Sequence, residues 1–339
     1  MPIDPLTFAR QLIDIPSHTG EERSVGEFLD AALARAGFAT RRQAVTDARF
    51  NLFASAGGRA RVVINSHIDT VPPWFASSED GEHIYGRGAC DTKGVIAAMI
   101  AAGERLQARG VHDFAFLFVV GEETDSIGAK RANEEFASLG SEYVVVGEPT
   151  ESQFARASKG AVTVTLRFEG KAAHSAYPHL GDSAINRMTA AIAAINAADW
   201  GTHDVFGKAT VNVGVVRGGE RANIIPALAE CDILFRIVTT PGDVLARLRA
   251  LLEPHGGKIV MERGNGPQLM TVPEGQPSTI VSFNTDVPWL GALGKPLLFG
   301  PGSILDAHGA NEKIAKRELL AAVQTYEAMV ISLLEGRVS

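Results

Sequence analysis

Cysteine is almost absent from this chain of 339 residues, which contains only Cys90 and Cys231. Two cysteines are too few for a disulfide framework, and their separation excludes the C-x-x-C spacing of a structural zinc site. A reducing compartment fits this composition. The N-terminal stretch MPIDPLTFARQLIDIP also lacks the basic start and apolar core of a secretory signal, so we expect a cytoplasmic protein.

Long apolar runs and clustered basic residues are missing as well. No stretch approaches the roughly 18 consecutive apolar residues of a membrane helix. The 32 Lys and Arg residues against 39 Asp and Glu give a formal net charge of -7, and no basic run provides an electrostatic footprint for nucleic acid. We therefore expect a small-molecule partner rather than a membrane or a nucleic acid.

The first half of the chain alternates between segments of strand length and segments of helix length. Residues 61–67, 114–120 and 142–146 are apolar on both faces, which predicts interior strands of an α/β domain with a mostly parallel sheet. Amphipathic segments between residues 4 and 37 and a strong helix between the first two strands predict the flanking helices. A last helix is expected from about Glu312 to Leu334.

A change of hydrophobic period near Lys159 marks a second domain. Residues 162–168 alternate between apolar and polar side chains, as in a sheet with one wet face. The segments that follow predict a helix, two strands, a helix and a strand, which completes a ferredoxin-like βαββαβ order. We expect residues 160–265 to form this inserted α+β domain, and residues 1–159 with 266–339 to form the first domain.

Acidic and imidazole side chains follow the apolar strands. His67 and Asp69 follow the first strand, Glu122 and Glu123 the second, and Glu148 the third. Ligands bind beyond the carboxyl ends of strands in open α/β sheets, so these groups are expected to converge on one crevice. A single glutamate after a strand is more often a solvated loop residue. Two adjacent carboxylates weaken that alternative, because they repel each other unless a cation or a proton compensates them.

Three further residues have open alternatives. Asp91 precedes a strong helix in GRGACDTKG, where it either caps the helix or binds a cation. His174 and His308, taken singly, are better explained as structural histidines. His67 and Asp69 point the same way along their strand, so Asp69 is able to orient the ring while the other ring nitrogen binds a metal.

Seven motifs, in order, resemble those of the M20 family of metallopeptidases and deacylases. They are SHIDTVP, GRGACDTKG, GEETDSIGA, VVVGEPT, GKAAHSAYP, GGERANIIP and GPGSILDAHGANEKI. The resemblance covers nearly the whole chain and is closest to the acetylornithine deacetylase and acetyl-lysine deacetylase branch. Gly309 and Asn311 depart from the family, in which threonine and aspartate are frequent at these positions.

The resemblance implies a site for two divalent metal ions in the first, catalytic domain. His67 and Glu148 would hold one ion, Glu123 and His308 the other, and Asp91 would bridge them. Five ligands exceed the three that a catalytic zinc ion usually takes from the protein, which agrees with two ions. Oxygen and imidazole ligands suit Zn²⁺, with Co²⁺ or Mn²⁺ as alternatives.

The remaining roles also come from the resemblance. Glu122 would be the general base towards a metal-activated water, Asp69 the partner of His67, and His174 a stabiliser of the oxyanion, supplied in many members by the other subunit. Asn223 and Arg236 would contact substrate, although a plain salt bridge is an equal alternative for Arg236. The inserted domain would serve as a lid and as the dimerisation module of a homodimer.

The implied activity is hydrolysis of the amide bond of an N-acyl amino acid, as in N-acetylornithine deacetylases. A metallo-exopeptidase acting on dipeptides or a C-terminal residue, and an N-succinyl amino acid desuccinylase, are alternatives with the same chemistry. A metal-binding scaffold protein is the non-enzyme alternative, and the presence of Glu122, which binds no metal in the family, argues against it. No GxSxG or HExxH motif occurs in the sequence.

Overall fold

A computed structural model describes residues 2–338 and divides the chain into two compact units. Unit 1 comprises Met1–Arg156, Leu269–Thr279 and Thr285–Ser339, and unit 2 comprises Ala157–Gln268 and Ile280–Asn284. The segment Ile280–Asn284 thus groups with unit 2, whereas the sequence places it in the first domain.

The helices are α1 (Pro5–Ile13), α2 (Arg23–Arg35), α3 (Gly94–Ala108), α4 (Ile127–Phe136), α5 (Ala184–Ala197), α6 (Pro241–Leu252) and α7 (Lys316–Leu334). The strands are β1 (Ala39–Ala44), β2 (Phe50–Ser55), β3 (Val62–His67), β4 (Ser78–Glu79), β5 (His83–Tyr85), β6 (Phe114–Val119), β7 (Tyr143–Val146), β8 (Phe154–Ser158), β9 (Gly160–Glu169), β10 (Thr202–His203), β11 (Gly207–Lys208), β12 (Thr210–Gly218), β13 (Leu228–Ile237), β14 (Gly257–Asn265), β15 (Gln268–Leu269), β16 (Ser278–Val281), β17 (Lys295–Leu298) and β18 (Lys313–Ala315).

Unit 1 is built on a six-stranded sheet in the order β1-β2-β6-β3-β7-β17. Strand β3 pairs in parallel with β6 and β7, β17 pairs in parallel with β7, and β1 and β2 are antiparallel additions at one edge. Every residue of β3, β6 and β7 is buried, as their two-sided apolar pattern requires. The predicted mostly parallel sheet flanked by helices is confirmed.

Helix α3 is the central helix of unit 1. It is apolar around most of its circumference because it packs against both α1 and α7. At Gly103 a Cβ atom would lie 2.5 Å from the Phe116 ring, so this glycine allows α3 to approach β6 closely. Helix α7 begins at Lys316 rather than at Glu312, because the residues before it form β18 and pair with β5.

Unit 2 contains a four-stranded antiparallel sheet in the order β12-β13-β9-β14. Helices α5 and α6 pack on this sheet, which gives the predicted βαββαβ order. Strand β9 buries Val162, Val164, Leu166 and Phe168 while its alternate polar residues stay outside the core, so the predicted alternation is observed. Across the described residues of both units, no helix has the length and apolar character needed to cross a membrane.

Candidate active site

The polar residues that follow the central strands meet at one edge of the unit 1 sheet. His67 ends β3, Glu122 and Glu123 lie in the turn after β6, and Glu148 lies two residues after β7. The three strands are parallel, so their carboxyl ends share one edge. The loop before α3 contributes Asp91 to the same place.

Asp91 lies between two histidines. Its Oδ1 atom is 3.0 Å from Nε2 of His67, and its Oδ2 atom is 3.1 Å from Nε2 of His308. Among the described residues, α3 has no side-chain cap, so of the two alternatives left open by the sequence, Asp91 does not cap the helix. His308 has a left-handed backbone with φ 62°, and its ring reaches Asp91 although Gly309 and Asn311 depart from the family pattern.

Two sets of ligand atoms surround this aspartate. Nε2 of His308 is 3.1 Å from Oε2 of Glu123, and Nε2 of His67 is 3.9 Å from Oε1 of Glu148. Candidate ligand atoms of His67, Glu122 and Glu148 lie within 4.8 Å of one another, and those of His67, Asp91 and Glu123 do so as well. The structure therefore brings together all five predicted metal ligands and the predicted base.

Four carboxyl groups lie close together in this buried cluster, and their proximity and burial shift their pKa values. Burial, with the nearby carboxylates, raises the pKa of Glu122 and of Glu148 well above the ordinary value, and burial also raises the pKa of Glu123. Burial opposes ionisation of Asp91 too, but hydrogen bonds with the two histidines outweigh it and lower its pKa. Hydrogen bonds with Asp91 and Glu123 raise the pKa of His308 to about 10.

The donor set fits divalent cations. Buried carboxylates that must otherwise take up protons are stabilised by positive charge, and oxygen with imidazole nitrogen suits Zn²⁺, Co²⁺ or Mn²⁺. The neighbouring Cys90 is buried, and burial raises the pKa of its thiol well above the ordinary value, which disfavours a thiolate. The cluster is therefore a candidate metal site, without a thiolate ligand.

Asp69 holds the turn that carries Glu122 and Glu123. Its carboxylate accepts backbone N–H groups of Gly121 at 2.9 Å, Glu122 at 3.2 Å and Glu123 at 3.2 Å, and the Thr19 hydroxyl at 2.8 Å. Nδ1 of His67 lies 3.0 Å from the Asp69 carbonyl oxygen but 3.6 Å from the carboxylate. The carbonyl oxygen is thus the nearer partner of the ring, because the turn amides occupy the carboxylate.

Two buried charged residues near the cluster are absent from the sequence predictions. Nη1 of Arg87 is 2.6 Å from Oε2 of Glu312. Oε1 of Glu312 accepts the backbone N–H groups of Cys90 and Asp91, both at 3.2 Å, and Nη2 of Arg87 donates to the His308 carbonyl oxygen at 3.4 Å. Arg87 lies in the motif GRGACDTKG and Glu312 in the motif GPGSILDAHGANEKI. Nothing else in the sequence indicates a role for them.

Asp286 is a further buried acid of unit 1. Within the described chain, neither of its carboxylate oxygens has a hydrogen-bond partner. Burial raises its pKa to about 6, and its charge contributes to raising the pKa of Glu122 and of Glu148. No sequence motif distinguishes Asp286 from a surface aspartate.

The other predicted residues belong to unit 2. The His174 and Asn223 segments are adjacent: the Ser175 N–H donates to the Asn223 carbonyl oxygen at 3.1 Å, and the His174 side chain is exposed. Asn223 precedes Leu228, the first residue of β13, whereas Arg236 lies near the last residue of that strand and is half-buried. Leu228 and Arg236 are eight residues apart, which is about 26 Å along a strand. Within one unit, His174 and Asn223 therefore come together and Arg236 does not join them.

Known proteins resemble this chain in sequence and in fold. The profile of the M20 peptidase dimerisation domain matches residues 156–260, and that of peptidase family M28 matches residues 51–169. A peptidase M20 domain-containing protein of Schizosaccharomyces pombe is 33% identical over 338 residues, which cover 96% of this chain and 84% of that protein. A probable carboxypeptidase of Aspergillus clavatus is 33% identical over 363 residues, covering 96% and 88%.

The fold has counterparts among solved structures. A tripeptidase from Staphylococcus aureus superposes with a TM-score of 0.79 at 20% identity, and the match covers 97% of each chain. At this identity the likeness concerns the fold alone.

Proposed function

Because the chain belongs to the M20 peptidase family, and its relatives identify it as an amidohydrolase, we propose that it is a metal-dependent exopeptidase that releases a C-terminal residue from a short peptide. The curated relatives named as probable carboxypeptidases support this substrate class. An N-acyl amino acid deacetylase of the acetylornithine type is the second candidate, and the motif resemblance favours it. Both substrates present an amide beside an α-carboxylate, so the same site chemistry serves either.

The arrangement around Asp91 is the observation that carries the proposal. Its two oxygens face two different histidines at 3.0 and 3.1 Å, as a shared ligand between two cations requires. We assign His67 and Glu148 to one divalent cation, Glu123 and His308 to the other, and Asp91 to both. When bound, the cations would polarise the scissile carbonyl group and lower the pKa of water, with zinc the best-fitting ion.

Glu122 performs the proton transfers in this proposal. It takes a proton from water as the water oxygen bonds to the carbonyl carbon, and it delivers that proton to the nitrogen as the C–N bond breaks. Its burial and the neighbouring carboxylates make it a strong base, because both raise its pKa. His174 is proposed to donate a hydrogen bond to the oxyanion, with Asn223 and Arg236 contacting substrate.

A homodimer formed through unit 2 is part of the proposal. The match to a peptidase dimerisation domain supports it, and β12 is an edge strand of the described sheet with Val215 and Val216 exposed. Arg236 lies about 26 Å along β13 from the end near Asn223, too far for one copy to bring both to one small substrate. We therefore propose that the two residues at one site come from different subunits. A cytoplasmic location completes the proposal, with the two buried free cysteines in its support.

The test replaces Glu122 with glutamine and assays a panel of dipeptides, tripeptides and N-acetyl amino acids. The variant is expected to keep the wild-type metal content, because glutamine has the shape of glutamate. Its kcat should fall at least about 10²-fold, because the glutamine amide does not accept the proton of water. Glu142→Gln is the control, since that glutamate is exposed and pairs with Arg61 at the surface.

The outcomes separate the candidates. Chelator-sensitive release of C-terminal residues supports the exopeptidase, and release only from N-acetyl amino acids moves the assignment to the deacetylase. Unchanged turnover of Glu122→Gln would refute the base assignment. Bound metal without turnover of any substrate would favour the scaffold protein.

A further inference from the structure

Arg87 and Glu312 form an ion pair that is almost completely removed from solvent. Arg87 is 1% exposed and Glu312 is 0% exposed, and neither lies within a regular helix or strand. A buried ion pair is weak as a source of stability, because the desolvation of both charges offsets much of their attraction. The contacts of the pair therefore indicate a role other than stability.

The carboxylate of the pair fixes the backbone of the Asp91 loop. Oε1 of Glu312 accepts the N–H groups of Cys90 and Asp91, both at 3.2 Å. The Asp91 side chain leaves the chain directly beside these bonds, with its two oxygens towards the two histidines. A displacement of Glu312 would therefore move Asp91.

The guanidinium group of the pair contacts the backbone of the His308 loop. Nη2 of Arg87 donates to the His308 carbonyl oxygen at 3.4 Å, and Nε donates to the Pro73 carbonyl oxygen at 3.1 Å. The exposed His308 ring contacts Asp91 and Glu123, and the bond from Arg87 holds the backbone of the same residue. One arginine thus connects this loop to the carboxylate that holds Asp91.

We propose that the Arg87–Glu312 pair positions Asp91 and His308 relative to each other, and thereby sets the affinity of the cation held by Glu123 and His308. The pair touches neither the cation nor the substrate. The cation held by His67 and Glu148 depends on the pair only through Asp91, because His67 is the last residue of β3 and Glu148 lies two residues after β7 of the central sheet. This inference rests on the proposed metal ligands.

Two variants test the two halves of the pair. Glu312→Gln keeps the shape and an oxygen for the two N–H groups, but it removes the charge and turns an amide N–H towards Arg87. Arg87→Lys keeps the charge, but a single ammonium group lacks the geometry to bond Glu312, Pro73 and His308 together. Glu142→Gln, in the exposed pair with Arg61, is the control.

The measurement is calorimetric titration of chelator-treated protein with Zn²⁺, together with the metal content and the thermal unfolding of each variant. We expect two binding events in the wild type. In both variants the event assigned to Glu123 and His308 should weaken about 10- to 100-fold, the usual effect of residues that orient metal ligands, and the other event, which shares only Asp91 with it, should weaken less. The double variant should weaken it by less than the product of the single effects, because the two residues act as a unit.

Several results would overturn the inference. Two unchanged affinities in the folded variants would do so, and so would an equal weakening of both events, which indicates a general structural role. Absence of any Zn²⁺ binding by the wild type would instead remove the proposed metal site itself, so the two failures are distinguishable.

Discussion

Replacement of Asp69 by asparagine tests how the turn with Glu122 and Glu123 is held. In the wild type, Oδ1 of Asp69 accepts the N–H groups of Gly121 and Glu122, and Oδ2 accepts the Glu123 N–H and the Thr19 hydroxyl. The asparagine oxygen is able to keep the first two bonds. Its NH₂ group then faces the Glu123 N–H, so two donors meet where a donor met an acceptor.

The size of the effect follows from these bonds. A hydrogen bond to a charged group contributes about 1.5–3 kcal/mol, and the Thr19 hydroxyl is able to rotate and accept from the new NH₂ group. We therefore expect Asp69→Asn to lower the free energy of unfolding by about 2–3 kcal/mol, chiefly from the Glu123 N–H. A shift of the turn by roughly 1 Å would reduce kcat by about 10²-fold through displacement of Glu122.

Urea denaturation and steady-state kinetics measure the two effects. Thr19→Val is the matched control, because it removes one neutral donor to the same carboxylate and leaves the turn amides bound; it should cost about 1 kcal/mol and little turnover. Wild-type stability and wild-type kcat in Asp69→Asn would refute the reasoning. If Asp69→Asn loses metal but regains wild-type kcat when metal is added in excess, Glu122 is not displaced, and Asp69 acts mainly through His67.

Two further predictions concern protonation and metal. Burial raises the pKa of Asp286 from 3.8 to about 6, so the stability associated with its protonated form is present below pH 3.8 and is lost as the pH rises through about 6. Asp286→Asn should therefore gain stability over the wild type as the pH rises, by about 3 kcal/mol at neutral pH, and a difference that does not change with pH in denaturation experiments would contradict this. Chelated protein should likewise lose stability as the pH rises above 4.5, because the pKa of Glu122 and of Glu148 is raised in the folded state. Added Zn²⁺ should restore about 2.7 kcal/mol per site at 100 times Kd, visible as a higher unfolding temperature, and an unfolding temperature that ignores both chelator and zinc would speak against the site.

The sequence predicts the parts of the fold whose signal is local. Strands β3, β6 and β7 are apolar on both faces, and this pattern has few explanations other than an interior parallel sheet. Strand β1 escapes prediction because it is an edge strand with Arg41 and Arg42 among its six residues. The start of α7 escapes it because Lys313–Ala315 pairs with β5, a partner more than 200 residues away that no local pattern reveals.

The same distinction applies to the candidate site. His67, Glu122, Glu123 and Glu148 are recognisable because they follow strands whose ends must meet. The hydrogen-bond partners of Asp69 cannot be recognised in the sequence. Whether its carboxylate bonds the His67 ring or the three backbone N–H groups of the turn depends on how the loop folds. The Arg87–Glu312 contact joins two loops 225 residues apart, and Asp286 is buried without a sequence pattern that requires it.

The chain order of unit 1 has a consequence for synthesis on the ribosome. His67, Asp91 and Glu148 are all made before unit 2 begins at Ala157, whereas β17 and His308 are made only after the whole of unit 2. Domains generally fold as units, beginning with the N-terminal one, as the chain emerges. The nascent protein thus possesses the ligands proposed for one cation long before those proposed for the other are complete, so we expect the second ion to bind only to a nearly finished chain.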